Sequence, residues 1–244
     1  MTQKSISQKL HDKLERLIQE TPPGERLPSE PRLAKQLGVS RATLREAMRT
    51  FETQGMLRRR QGSGTYVTHP PRVIESGLEV LESLETLAKR TGLPVKMGEL
   101  HIERRAASPE ECQTLDLSPC DEVIHVQRVM LAKDRPVVFL VDILPTDVLK
   151  PDELESDFTG SVLDFILERG DPTLQVSRTE INATTASPAV ARAMGIQRGD
   201  VLLYFNADLY AGDGRVVDHS HSYFLPGYFR FHVVRRVGRN NPNI

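Results

Sequence analysis

The chain has 244 residues and a net charge of −1 at pH 7, with 39% hydrophobic and 27% charged residues. This length fits one large or two ordinary domains, and the composition is that of a globular protein. No apolar run approaches the ~18 residues that a membrane-spanning helix needs, and the N-terminus lacks the apolar core of a signal peptide, so we expect a cytoplasmic protein.

The charges are divided unevenly along the chain. Residues 1–70 contain 13 Lys and Arg against 7 Asp and Glu, a net charge of +6, and the remainder carries −7. A basic N-terminal part can bind phosphates with a salt-dependent affinity, whereas the acidic remainder is not expected to lie on DNA. Two cysteines, Cys112 and Cys120, are too few for a disulfide framework or a zinc site, and we expect both to be packing residues.

Three helices are predicted in the first 55 residues. The first runs over about Ser5–Glu20, where leucine and isoleucine recur at helical spacing, and a Pro-Pro-Gly stretch ends it. The second covers Ser29–Leu37. After the short turn Gly38-Val39-Ser40 the third begins, with Ser40 as its N-cap, and it meets no glycine or proline until Gly55.

The third predicted helix presents two distinct edges. Its apolar stripe, at spacing i, i+3, i+4 and i+7, consists of Leu44, Ala47, Met48 and Phe51. A second edge carries three guanidinium groups four residues apart, those of Arg41, Arg45 and Arg49. Like charges at this spacing repel by roughly 0.2–0.5 kcal/mol per pair, so the row indicates an external anion. Two helices joined by such a turn are typical of a helix-turn-helix, whose second helix enters the DNA major groove.

A β-hairpin is predicted directly afterwards. Two short extended runs, Met56–Arg60 and Thr65–Val67, flank the sequence Gln61-Gly62-Ser63-Gly64. This is the position of the wing in a winged helix. An arginine row alone is usually a solvated surface and a glycine-rich hairpin alone is usually a turn, but their order and spacing together favour DNA binding.

This N-terminal stretch carries a specific set of motifs: PGERLPSE, then LA-x-x-LGVSR-x-TLREA, then GML and GSGTYV. They resemble the N-terminal domain of the GntR family of bacterial transcriptional regulators. The resemblance implies a winged helix-turn-helix over residues 1–70. It also implies DNA contacts from Arg41, Thr43 and Arg45 of the recognition helix and from Gln61 and Gly62 of the wing tip. From its place at the far end of the arginine row, Arg49 is expected to contact phosphate.

One position departs from the family pattern. The family usually has an arginine directly after the Ser-Glu of PSE, where it contacts DNA. Here Pro31 occupies that place and Arg32 follows. Proline is acceptable in a first helical turn, so we expect the contact to be lost or shifted to Arg32.

Residues 71–94 are predicted to form a linker that contains a connector helix. Its helix would span Glu75–Thr91, because leucines recur at 78, 81, 84 and 87, and Gly92-Leu93-Pro94 would end it. An ordinary core helix fits the same spacing.

From Val95 onwards the pattern changes to alternation and indicates an α+β domain over residues 95–238. The predicted strands are Lys96–Arg105, Glu122–Leu131, Val137–Leu144, Gln175–Ala183, Val201–Leu209 and Val216–Leu225. The predicted helices are Pro109–Leu117, Ser161–Arg169 and Pro188–Met194. Turns at Lys133-Asp134-Arg135 and Gly212-Asp213-Gly214 imply consecutive hairpins, hence an antiparallel sheet, with helices expected on one face.

Four segments of this part, in order, are HVQRVMLAKDRPVVFLVDILP, SVLDFILERG, AVARAMGIQRGDVLLYF and GRVVDHSHSYFLPGYFRF. They are similar to the UTRA effector domain, which accompanies the GntR headpiece in the HutC subfamily. The similarity implies a chorismate-lyase-like fold, a homodimer and a small-molecule pocket. Within that pocket it implies an anion-clamping role for Arg128, a polar contact from Ser161 and an acid, Asp218, that meets ligand hydroxyls.

The same comparison shows four apolar residues where the family often has polar ones. They are Met130, Leu140, Leu163 and Phe224. We therefore expect an effector with a single anionic group in an otherwise apolar pocket that includes Phe224.

Other chemistry finds less support in the sequence. In a strand His219 and His221 share one face, so a two-histidine metal site remains open, but no third ligand is identifiable by spacing. No cofactor motif is present, and we predict no catalysis. The leading hypothesis is a ligand-responsive repressor that binds a double-stranded DNA operator as a homodimer. The alternative is a metabolite-binding protein or lyase-like enzyme with a vestigial DNA-binding headpiece.

Overall fold

The computed structural model describes residues 6–53, 56–60, 63–68, 74–150, 153–154, 158 and 160–234. The chain forms two compact units, one of residues 1–73 with 225–228 and one of residues 74–224 with 229–244. Within the described ranges, no helix combines the length and the apolar character needed to cross a bilayer.

The first unit is a three-helix head with a two-stranded hairpin. Its elements are α1 (Ile6–Glu20), α2 (Glu30–Leu37), α3 (Arg41–Thr53), β1 (Leu57–Arg60) and β2 (Gly64–Val67). Leucines from all three helices, Leu14, Leu33 and Leu44, are fully buried in one core. As their amphipathic spacing predicts, the three helices bury their apolar faces in this core.

The turn between α2 and α3 is fixed by local hydrogen bonds. Gly38 ends α2 in the left-handed conformation, with φ of 70°, and donates its N–H to the carbonyls of Ala34 and Lys35. Ser40 begins the next helix, because its Oγ accepts a hydrogen bond from Thr43 N over 3.1 Å. The predicted N-cap is confirmed.

The second unit is built on one large sheet. The strands of the whole unit are β3 (Ile74–Gly77), β4 (Val95–Ala106), β5 (Glu122–Ala132), β6 (Arg135–Pro145), β7 (Leu174–Thr185), β8 (Val201–Ala211), β9 (Val216–Phe224) and β10 (Phe229–His232). Its helices are α4 (Leu84–Thr91), α5 (Pro109–Leu115), α6 (Val162–Arg169) and α7 (Pro188–Met194). Six strands form an antiparallel sheet in the order β4-β5-β6-β9-β8-β7.

The β5–β6 hairpin sets the register of the sheet centre. Its two turn residues, Lys133 and Asp134, have φ of 49° and 64°, which is the geometry that a right-handed twisted hairpin prefers. Pairing then runs from Ala132↔Arg135 to Val123↔Pro145, with one irregularity near Met130.

Helices cover both faces of this sheet, so the expectation of helices on one face is wrong. Ile124 of β5 packs in a cluster with Val162 of α6. On the opposite face Arg105, the cross-strand partner of Val123, binds Glu111 of α5 through two hydrogen bonds of 2.8 and 2.6 Å. The reason is that successive residues of a strand point to opposite sides, and β5 buries both sets.

The connector region also differs from prediction. Residues Ile74–Gly77 form β3, which pairs in parallel with β10, and the helix begins only at Leu84. Ser83 is its N-cap and accepts a hydrogen bond from Thr86 N. The predicted helix is therefore wrong for its first half, because backbone pairing with a distant strand overrides the local leucine spacing; Leu81 is 49% exposed.

The two cysteines are not equivalent. Cys112 on α5 is half-buried, but Cys120 is exposed in the turn before β5, with φ of 80°. Of the two predicted packing residues, Cys120 is thus wrongly assigned, because it lies in a tight turn at the surface.

Candidate DNA-binding and effector-binding sites

Helix α3 buries its apolar stripe and leaves its basic edge exposed. Leu44, Met48 and Phe51 are at most 3% exposed. Outside this stripe Arg41, Thr43 and Arg45 are exposed, while Arg49 at the far end of the basic row is half-buried. The predicted two-edged helix is confirmed, and its N-terminal turn is available to an external partner.

Glu30 connects this helix to the hairpin. Its carboxylate accepts a hydrogen bond from Nε of Arg45 over 2.7 Å and also pairs with Arg59 of β1. Glu30 is 16% exposed, whereas Arg45 and Arg59 remain 52% and 47% exposed. The carboxylate therefore positions both guanidinium groups at the surface. Since the bond occupies the Nε donor of Arg45, it is compatible with base recognition by the terminal amino groups.

A cleft of about 820 Å³ lies between the N-terminal turns of α2 and α3 and the hairpin. Its charged lining residues are Glu30 and five arginines, Arg26, Arg41, Arg45, Arg59 and Arg60. The formal net charge of the cleft is therefore about +4, and such a surface attracts the phosphates of a nucleic acid.

Arg26 was not identified from the sequence, because it becomes part of the cleft only through pairing of its backbone with Tyr66 of β2. Its guanidinium lies over Gly64, where a Cβ atom would come within 2.4 Å of Arg26 Nε. Gly64 has φ of 125°, a conformation that other residues rarely adopt. The glycine of the hairpin therefore makes room for a basic side chain.

The remaining predicted DNA contacts differ in position. Arg49 is 26% exposed and pairs with Glu46 over 3.6 Å. Arg32 is exposed on α2 but lies outside the lining of the cleft. Gln61 and Gly62 lie outside the described residues. Arg60, in the last strand pair before the turn, lies 4.9 Å from the centre of the Tyr66 ring, a cation–π contact between the two strands of the hairpin.

In the second unit, Arg128 is buried among acids and is not a free cation. It is 4% exposed. Its Nη2 donates to Asp142 Oδ2 over 2.8 Å, and its Nη1 lies 3.7 Å from Glu85 Oε1. The ring of Phe158 lies 5.7 Å from the guanidinium carbon. An arginine that served only to clamp an anion would have no acidic partner in the protein. The charge of Arg128 is instead compensated by Asp142 and Glu85, which the sequence did not indicate.

Ser161 lies in the same region through a chain of hydrogen bonds. Its Oγ accepts from Asp164 N over 3.0 Å at the start of α6. The carboxylate of Asp164 in turn accepts from Ser83 Oγ over 2.6 Å, and Ser83 caps α4. The two helix starts are therefore joined by one carboxylate beside Glu85.

Asp218 is the third predicted residue of this region, and it is 6% exposed. Burial raises the pKa of its carboxyl well above the ordinary value, and the nearby charge of Asp142 raises it further, while Arg128 opposes the shift. Burial likewise raises the pKa of Glu85, again against the charge of Arg128. Two carboxyl groups therefore hold their protons more tightly than in water.

Several polar atoms here are buried without a hydrogen-bond partner among the described residues. They are Nε and Nη1 of Arg128, Oδ1 of Asp218 and Oε1 of Glu85. Arg128 Nη1 and Glu85 Oε1 face each other as an ion pair at 3.7 Å. Buried polar atoms are nearly always satisfied by protein, water or ligand, so these atoms mark a polar site inside the fold. We call Arg128, Asp142, Glu85 and Asp218 the acid–guanidinium cluster.

Phe224 lies outside this polar network. It is 7% exposed and packs in an aromatic group with Phe205, Phe229 and Phe231, at ring distances of 4.9 to 5.0 Å. Met130, at the place of a second family arginine, is 1% exposed. No second cation therefore accompanies Arg128 from that position.

The two histidines of β9 make hydrogen bonds to side chains. His219 Nδ1 lies 2.7 Å from Asp208 Oδ1, and His221 Nδ1 lies 2.7 Å from the Tyr204 hydroxyl. In the described part of the chain, no three His, Cys, Asp or Glu side chains are grouped to hold a metal ion.

The sequence interpretation missed Ser83, Glu85 and Asp142. Asp142 had a usable signal, because it is the one charged residue in the run Val137–Leu144. Ser83 and Glu85 had none, because their proximity to Asp164 and Arg128 arises only in the folded chain.

Comparison with known proteins identifies both units. A model of the UTRA domain matches residues 90–230, and a model described as bacterial regulatory proteins of the gntR family matches residues 3–67. The Histidine utilization repressor of Pseudomonas aeruginosa is 32% identical over 192 residues, covering 78% of this chain and 75% of that protein. The HTH-type transcriptional repressor NagR of Bacillus subtilis is 27% identical over 219 residues, 89% of each chain. The crystal structure of PhnF from Mycobacterium smegmatis shares the fold, with a TM-score of 0.62 and 21% identity, over 94% of this chain and 100% of that one.

Proposed function

Because the chain belongs to the gntR family of bacterial regulatory proteins and carries a UTRA domain, it is a DNA-binding transcriptional regulator, and we propose that a small-molecule effector releases it from its operator. The observation that supports DNA binding is the basic cleft beside an exposed recognition helix, and the observation that supports effector control is the UTRA domain. Members of this family are transcriptional regulators, and we propose that this chain has no enzymatic activity.

On the DNA side, we assign major-groove contacts to the N-terminal turn of α3, through Arg41, Thr43 and Arg45. The other arginines of the cleft, with Arg49, bind phosphates, and Arg32, Gln61 and Gly62 add contacts at the edges. Phosphate contacts supply affinity and register, while base contacts supply specificity. Two such heads in a homodimer would read a pseudo-palindromic double-stranded operator.

For domain organisation, we propose a DNA-binding domain over residues 1–70, a connector over residues 71–94 and an effector-binding and dimerisation domain over residues 95–238. The connector contributes Ser83 and Glu85 to the region around Arg128. A ligand there would therefore contact the connector as well as the sheet.

For the effector site, we propose Arg128, Ser161 and Asp218 as polar contacts and Phe224 as part of an apolar wall. The free Nε and Nη1 donors of Arg128 suit one anionic group of the ligand. The ligand can change DNA affinity only if it binds the two conformations of the protein unequally.

The experiment starts with selection of an operator from random duplex DNA by the full-length protein, followed by anisotropy titrations. Arg45→Ala should weaken binding to the selected sequence by about 5- to 150-fold, the equivalent of 1–3 kcal/mol for a lost base contact. The matched control is Arg90→Ala, which removes an arginine that is 54% exposed and paired with Glu82 in the second unit. Failure to select any sequence, or equal effects of the two substitutions, would contradict the proposal.

A further inference from the structure

Strand β7 forms one edge of the six-stranded sheet, and its outer side is open. The strand has twelve residues and pairs with β8 on its inner side. Among the residues that the structure describes, no strand pairs with its outer side. None of its side chains is buried, and those of Val176 and Ile181 are 56% and 44% exposed. Such an edge presents a row of backbone N–H and C=O groups that can pair with another strand.

The strand also lacks the features that usually keep sheet edges apart. Edge strands are commonly protected by lysine, proline or a bulge. β7 contains neither lysine nor proline, and its one register shift lies at its beginning, between Leu174 and Val176. The opposite edge strand, β4, contains Lys96 and has a register shift between Met97 and Leu100. Of the two edges, β7 is therefore the one suited to regular pairing.

The charges of β7 favour pairing with a copy of itself. Its two charged residues are Arg178 and Glu180, which lie on one face, 3.1 Å apart, with 70% and 57% of their side chains exposed. In an antiparallel pair, residues directly opposite each other point to the same face. Two identical strands related by a two-fold axis perpendicular to the sheet therefore have that axis at a residue.

The position of this axis decides which charges meet. With the axis at Thr179, Arg178 of each copy lies opposite Glu180 of the other. An axis at Arg178 or at Glu180 instead places two like charges opposite each other, and such pairs are destabilising. The charge pattern therefore selects Thr179.

Building on the proposed homodimer, we propose that β7 is the dimerisation strand and pairs antiparallel with β7 of a second copy about an axis at Thr179. The pairing joins the two six-stranded sheets into one continuous sheet. It also covers exposed apolar side chains, because Ile181 lies opposite Ser177 of the second copy and Val176 lies opposite Asn182. A second copy fits better than an unrelated extended peptide, because the strand is complementary in charge to itself.

The test measures the dissociation constant of the dimer of full-length protein by sedimentation equilibrium. Arg178→Glu places carboxylates opposite carboxylates across the axis, and Glu180→Arg places guanidinium groups opposite guanidinium groups. Each substitution should raise Kd of the dimer by about 5- to 100-fold, because it turns two attractive cross-strand pairs into two repulsive ones. The control is Arg104→Glu in β4, where the arginine is 56% exposed and pairs with Glu122. It should leave Kd unchanged.

A mixture of the two variants separates strand pairing from a folding defect. When Arg178→Glu pairs with Glu180→Arg, the carboxylates of one copy lie opposite the guanidinium groups of the other. The mixture should therefore dimerise more tightly than either variant alone, and native mass spectrometry should show more heterodimer than random association gives. A folding defect in either variant would not be repaired by mixing.

The outcomes distinguish this inference from the proposed function. Single variants that dimerise as tightly as the unaltered protein, or a mixture without excess heterodimer, would overturn the strand pairing and leave the homodimer intact. A monomeric unaltered protein would overturn both. Anisotropy with the selected operator gives a second reading, in which each variant should lose affinity and the mixture should regain it. Recovery of the dimer without recovery of operator affinity would support the strand pairing and contradict the reading of a pseudo-palindrome by two heads.

Discussion

Asp142→Asn provides a sharp test of the cluster in the absence of ligand. The substitution keeps the shape and one oxygen acceptor but removes the negative charge that lies 2.8 Å from Arg128. The side chain of Arg128 is 5% exposed and that of Asp142 is 11% exposed. Water therefore cannot replace the lost charge, and the guanidinium depends on the remaining acids.

The expected loss of stability can be worked from the distances. At an effective dielectric constant of about 20, unit charges at 2.8 Å attract by about 6 kcal/mol and those at 3.7 Å by about 4.5 kcal/mol. Removal of one partner from a buried pair typically costs about 3–5 kcal/mol. Glu85 retains part of the attraction, and the repulsion between Asp142 and Asp218 disappears. We therefore expect the free energy of unfolding of the second unit to fall by about 2–3 kcal/mol.

Urea denaturation at pH 7, followed by circular dichroism, measures this loss. The matched control is Asp147→Asn, the same substitution in an Asp–Arg pair at the surface, where Asp147 is 61% exposed and lies 2.5 Å from Arg215. The control should lose at most about 1 kcal/mol. Losses of equal size would show that the guanidinium of Arg128 is effectively solvated, and the reasoning about a buried, under-satisfied cluster would fail.

Three further substitutions test other parts of the molecule. Arg60→Ala, in the basic cleft, should lower the slope of log affinity against log salt by about 1 for any DNA sequence; an unchanged slope in anisotropy titrations from 50 to 200 mM salt would argue against a phosphate contact. Gly64→Ala should destabilise the first unit by about 1–3 kcal/mol, because it forces a side chain into a positive φ of 125° beside Arg26; urea unfolding at the wild-type midpoint would contradict this. The raised pKa of Asp218 means that its contribution to stability is complete below its unfolded pKa of about 3.9 and is lost as the pH rises through the folded pKa. Asp218→Asn has no such proton to lose, so its stability relative to the wild type should rise as the pH increases above about 4, and parallel pH curves would refute the assignment.

The head could be predicted from the sequence because its determinants are local. The stripe of Leu44, Met48 and Phe51 follows the helical period, and Ser40 lies one residue before the helix that it caps. The basic row and the hairpin lie within the next 27 residues, up to Val67. Arg26 was not predicted as part of the cleft. It lies beside Gly64 only because its backbone pairs with Tyr66, and no sequence pattern indicates that pairing.

The effector region was predicted only in part, because its residues come from distant positions. Arg128 and Asp142 lie 14 residues apart and Ser83 and Asp164 lie 81 apart. No spacing rule connects such pairs. The family resemblance indicated Arg128, but the acids that compensate its charge became apparent only when sheet register and helix capping brought them together. The same non-local origin explains the wrong helix at Glu75, where β10 determines the backbone conformation.

The parallel pairing of β3 with β10 has a consequence for synthesis of the protein. Ile74 pairs with Phe229, 155 residues later in the chain. At a translation rate of about 5–20 residues per second, β3 must wait roughly 8–30 s for its partner to be made. Over that interval the three helices and two hairpin strands of the head have been made, although residues 225–228 of its unit have not, whereas β3 still lacks its partner strand β10. Ribosome-bound intermediates should therefore acquire DNA affinity well before they can respond to a ligand.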